Sequence, residues 1–84
     1  MMEHDEPLLS PLSQRVTRGA QAVQVDIYED GDGNWILEII DDYDNATIWE
    51  ESFTLEEDAL DEALRAIDEE GIETFIGPNL HELH

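Results

Sequence analysis

The stretch "VDIYEDGDGNWILEII", residues 25 to 40, decides the fold. Val25 and Ile27 alternate with Asp26 and Tyr28. Leu37 and Ile39 alternate with Ile36, Glu38 and Ile40, giving two runs with the period-two pattern of half-buried strands. Between them lies a run of turn formers. Setting Asp30 opposite Asn34 makes Gly31, Asp32 and Gly33 a three-residue hairpin loop, with Gly33 free to adopt a left-handed conformation. That register puts Ile27 opposite Leu37 and Val25 opposite Ile39, so both pairs on one face are apolar. A slip of one residue would bury Glu38, so the pairing is strongly specified.

Upstream, Val23 extends the first of these strands. Downstream, "ATIWEESF" (46–53) predicts a third. The turn before it, "DDYDN", is centred on Asp44, which sets Ile39 near Trp49 and Trp35 near Phe53. A helix follows. Thr54 and Glu57 have capping-box spacing, and Glu56, Glu57 and Asp58 suit the positive end of the helix dipole. Leu60, Ala63, Leu64 and Ile67 form one apolar stripe, and Gly71 stops the helix. "IETFIG" (72–77) predicts a short last strand, with a core-plugging loop as the alternative. The expected architecture is α+β, in the order β-β-β-α-β, with one helix on one face of an antiparallel meander. Residues 22–77 form the single domain and 78–84 a tail. Residues 1–21 form an arm: flexible, an added strand, or a short helix with Ser10 as N-cap, Pro11 in the first turn and Gly19 past its end.

This register has a consequence on the face the helix leaves open. Asp26, Glu38 and Glu50 fall on one rung, so three carboxylates stand side by side, about 5 Å apart. Tyr28, Ile36, Ile40 and Ile48 surround them as an apolar patch. These seven residues are the predicted partner-binding surface. Arg15 and Arg18, with Leu8 or Leu12, are an intramolecular candidate to cover it.

Composition narrows the chemistry. Twenty-three acidic residues against three basic ones give a formal charge of −20, and there is no lysine. Such a polyanion repels nucleic acids and anionic membranes and attracts basic protein surfaces. The absence of cysteine removes disulfides, thiolate metal sites and thiol nucleophiles. No serine has a histidine in the predicted domain to activate it, and no glycine-rich phosphate loop precedes a helix, so the chain reads as a non-enzyme without a cofactor. Asp30-x-Asp32-x-Asn34 has calcium-loop spacing. Positions six and twelve of such a loop are Trp35 and Asp41 rather than glycine and glutamate, however, so it reads as a turn and not a metal site. "HELH" at the end lacks a third ligand for His81 and His84. The acidic start has no long apolar run, and the expected setting is cytoplasmic, as a monomer or weak homodimer.

The run from "VDIYEDGDGNWILEII" through "FTLEEDALDEALRAIDEE" resembles the small βββαβ antitoxin-type domains of the HicB kind, which share a Gly/Asp hairpin, a meander and a helix opening Thr-Leu-Glu-Glu. "DDYDNATIWEES" departs from the Pro-, Gly- and Cys-rich segment of such domains, and no DNA-binding segment follows. The resemblance implies a protein-binding module. The expected function is thus a small acidic interaction module that holds a basic partner through the open sheet face. The alternatives are an acidic mimic of nucleic acid and a weak divalent-cation binder.

Overall fold

The computed structural model describes residues 8–78. Four strands form one antiparallel sheet in sequence order: β1 (Gln14–Arg18), β2 (Gln21–Glu29), β3 (Trp35–Ile40) and β4 (Ala46–Ile48). Helix α1 (Glu56–Glu70) lies over β2 and β3 on one face, and a 3-10 turn, Ile72–Phe75, closes that side of the core. The α+β class and the meander expected from sequence are present.

The first hairpin has the expected register. Asp26 faces Glu38, Ile27 faces Leu37 and Val25 faces Ile39. The Asp30 amide donates to the Asn34 carbonyl at 3.0 Å. Gly33 has φ 91°, a conformation that side chains resist.

The second hairpin is centred one position earlier than expected, on Tyr43 rather than Asp44. Asp41 pairs with Asn45, and Asp44 itself takes the left-handed position at φ 68°. Both turns follow one plan. Asp30 Oδ1 accepts from the amides of Asp32 and Asn34, and Asp41 Oδ1 accepts from those of Tyr43 and Asn45. An aspartate that opens a turn and caps the amides two and four residues on is an Asx-type device. Ile39 therefore faces Thr47, and Glu38 faces Ile48. The chain then bends through Glu50–Ser52, and Phe53 rejoins the sheet opposite Trp35 as expected.

The N-terminal arm supplies β1, the strand among its three expected forms. Ser10 and Pro11 make a single turn rather than a helix: Ser10 Oγ accepts from the Leu12 amide, and the Ser10 carbonyl accepts from Ser13. β-branched Val16 and Thr17 then pair with Val23 and Ala22 around a two-residue turn at Gly19, φ 64°. Leu8 to Ser10 continue along the same edge of β2, with Leu9 opposite Tyr28.

The core is built from Val16, Val23, Val25, Ile27, Leu37 and Ile39 of the sheet, with Ala59, Ala63, Ala66 and Ile67 of the helix and Ile72 and Phe75 beyond it. Each fully buried Ile or Leu contributes about 1.5–3 kcal/mol of transfer free energy. The buried stripe is more alanine-rich than expected. Leu60 and Leu64 sit at its flank, because side chains this small let the helix approach the sheet closely. The Thr54–Glu57 capping box does not form. Leu55 is the N-cap, without a side-chain hydrogen bond, and acidic residues in the first turn face the helix dipole. Ile72–Phe75 is a 3-10 turn rather than the last strand, which is the core-plugging alternative of the two forms expected. Phe75 stacks on Trp49 with ring centroids 5.9 Å apart, so the segment fills the core instead of joining the sheet.

Candidate functional site

Strand pairing fixes which side chains share the face opposite the helix. On β2 these are Gln24, Asp26 and Tyr28, and on β3 Ile36, Glu38 and Ile40. On β4 they are Ala46 and Ile48, and Leu9 joins them beside Tyr28. Six of the seven residues expected at this surface are together: Asp26, Tyr28, Ile36, Glu38, Ile40 and Ile48.

Glu50 is the exception. With the second turn opened by Asp41, the position beside Glu38 belongs to Ile48, and Glu50 lies in the bend that follows β4. The expected row of three carboxylates is thus a pair, Asp26 and Glu38, bounded by an isoleucine. The surface is more apolar than the sequence suggested. Ile48 and Leu9 are each 54% exposed, and Tyr28, Ile36 and Ile40 are half-buried.

The electrostatics of the pair are unfavourable within the chain alone. Like charges directly opposite on a sheet repel. Gln24 Nε2 donates to Asp26 Oδ1 at 3.1 Å, a neutral partner that removes no charge. Burial, followed by the negative charges of Glu38 and Asp26, pushes the Tyr28 phenol above its ordinary range.

The arginines are engaged elsewhere. Arg15 forms a two-pronged pair with Asp42 at 3.1 and 3.2 Å, and Arg18 reaches Asp68 of the helix at 2.8 Å. Arg65 binds Glu62 and Glu69. Arg15 and Thr17 share the open face at its β1 margin, opposite Gln24 and Ala22, and Leu9 lies beside Tyr28, but Arg15 is committed to Asp42 and Arg18 to Asp68, so neither arginine pairs with Asp26 or Glu38. Leu12 packs against the core instead.

Sequence reasoning missed a second polar centre, at Asp41. This side chain is 4% exposed. Its Oδ2 accepts from Asn45 Nδ2 at 2.9 Å and from the Gly77 amide at 2.7 Å, while Oδ1 holds the turn. Burial alone would raise its pKa. The hydrogen bonds from Asn45, Gly77 and Tyr43 outweigh that and hold the carboxyl below the usual range. Asn45 Nδ2 also donates to the Pro78 carbonyl at 3.0 Å. The signal was present as the shared spacing Asp-x-x-x-Asn in "DGDGN" and "DDYDN". A hollow of about 130 Å³ beside Asp41, walled by Ala22, Tyr43 and Ile76, is well below the roughly 300 Å³ at which small-molecule pockets begin.

Among the described residues no three His, Asp or Glu side chains converge as metal ligands, and no helix is long and apolar enough to cross a membrane. His81 and His84 lie outside the described residues. Comparison with protein-family models, with curated proteins and with solved structures finds no match for this chain. The resemblance drawn from sequence gains no support from these comparisons. The fold also departs from the βββαβ order, with an added first strand and a 3-10 turn in place of the last one.

Proposed function

We propose that this protein is a small acidic, non-enzymatic interaction module that binds a basic protein surface through the open face of its sheet. One observation carries the reading. Asp26 and Glu38 stand as a like-charged cross-strand pair, with Tyr28, Ile36, Ile40 and Ile48 around them. A partner that places an arginine or lysine over the two carboxylates and apolar groups over the isoleucines relieves the repulsion. It also removes apolar surface from water. The net charge of −20 steers such a partner in and repels acidic competitors.

The test is selection of binding peptides from a random display library, with the full chain as target. Winners should interleave basic and apolar residues. Ile48→Asp should weaken them about tenfold or more, with the circular dichroism spectrum unchanged. Winners that are purely basic, indifferent to Ile48→Asp and lost steeply with salt would instead favour the nucleic-acid mimic.

A further inference from the structure

The sheet has a second surface, of opposite character, at its β1 edge. From Pro7 to Val25 the chain contains no aspartate or glutamate, although acids crowd the rest of the sequence. This acid-free run includes β1, the turn after it and the first half of β2. Among the described residues no strand pairs with the outer side of β1, and the helix lies over β2 and β3 rather than over it.

The backbone of β1 divides cleanly. The Ile27 carbonyl accepts from the Ser10 amide and its N–H donates to Ser13 Oγ, so Ile27 and its alternates Val25, Val23 and Gln21 turn their backbone groups toward the arm. Their partners Gln14, Val16 and Arg18 are consumed by that ladder, leaving Arg15 and Thr17 with N–H and C=O directed outward. Arg18 Nη1 donates to the Thr17 carbonyl at 2.9 Å, which leaves that oxygen a second lone pair.

We propose that β1 is the contact edge of a homodimer, in which a second copy pairs antiparallel about Val16. The sequence "QRVTR" is self-complementary in that register. Arg15 meets Thr17 of the second copy, and Gln14 meets its Arg18. No arginine faces an arginine, and each Arg15–Thr17 pair exchanges both outward hydrogen bonds. Two-fold symmetry makes the contact closed, so it ends at a dimer rather than a filament. The salt bridges to Asp42 and Asp68 leave the edge close to neutral, so it is where two copies of this polyanion meet with least repulsion. The other edge, β4, is three residues long and runs into Glu50 and Glu51, which guard it. Residual repulsion between the two acidic bodies makes the dimer stronger in salt.

Sedimentation equilibrium of the full chain in high salt tests this. A mass of about twice 9.6 kDa is expected at high concentration, with weaker association at low salt. Among the hydrogen bonds of β1, Thr17→Pro removes just an outward N–H, so it should weaken the dimer by about tenfold or more, while Thr17→Val should keep it. Should Thr17→Pro unfold the chain, hydrogen exchange of the wild type still decides the matter: the Arg15 and Thr17 amides should gain protection with concentration. A monomer at all concentrations overturns the proposal, as when the chain's own first residues occupy the edge. So does a dimer indifferent to Thr17→Pro in a folded variant, or one without added protection at these amides.

Discussion

The buried carboxylate of Asp41 accepts the backbone N–H of Gly77, 36 positions away in the chain, at 2.7 Å. With Asn45, which reaches Pro78, this contact clasps the end of the domain to the second hairpin. Removing the acceptor leaves the part-buried N–H groups of Tyr43, Asn45 and Gly77 without their partner. Asp41→Ala should cost about 2–4 kcal/mol in chemical denaturation, since bonds to a charged group are worth about 1.5–3 kcal/mol. A loss under about 0.5 kcal/mol would show that the clasp does not hold the fold.

Gly77 lies against the same clasp. A Cβ added there would meet Asn45 Cγ and Nδ2 at 2.8 Å. Gly77→Ala should therefore destabilise by about 1–3 kcal/mol through overpacking. The effect should shrink when Asn45→Ala removes the obstructing atoms, a non-additivity of about 0.5 kcal/mol or more in the double-mutant cycle. Strict additivity would mean that the two residues do not press on each other.

The pH dependence follows from the direction of the Asp41 shift. Burial opposes ionisation, but the hydrogen bonds from Asn45, Gly77 and Tyr43 win, so the folded pKa lies below the ordinary 3.8. A depressed folded value means that the stabilisation is complete above the unfolded pKa and is lost as pH falls through the folded one. Wild-type stability should therefore decline as pH falls below about 4, and Asp41→Asn should flatten that part of the curve. Equal slopes for the two proteins would remove Asp41 from the explanation.

Much of this was legible in the sequence, and the failures have physical causes. The β2–β3 register could be read because glycines mark the first turn and every core pair is apolar. The second turn was misplaced by one position because Asp44, not a glycine, takes its left-handed site, so composition alone did not locate it. That shift removed Glu50 from the rung and put Ile48 there. Strand β1 was only one of three options because "QRVTR" buries a single residue, Val16, and an edge strand that polar carries almost no alternation signal. The alanine stripe of α1 was under-read because its smallest side chains, not its leucines, make the closest contact with the sheet.

Tyr28 reports on the open face directly. Burial and the charges of Glu38 and Asp26 raise its pKa above 10.0. In a Tyr43→Phe background, where Tyr28 is the remaining tyrosine, its ultraviolet titration should shift to lower pH on Glu38→Gln. An unchanged midpoint would mean that Glu38 does not act on the phenol.

The central claim is that the open sheet face binds a basic partner, and amide chemical-shift mapping tests it most directly. Isotope-labelled full-length protein would be titrated with a selected basic-apolar peptide, at low and at moderate salt. The account predicts the largest shifts at Asp26, Tyr28, Ile36, Glu38, Ile40 and Ile48, with the outer helix residues Asp58, Asp61 and Glu69 little changed. Shifts concentrated on that acidic helix face, with the sheet residues silent, would contradict it.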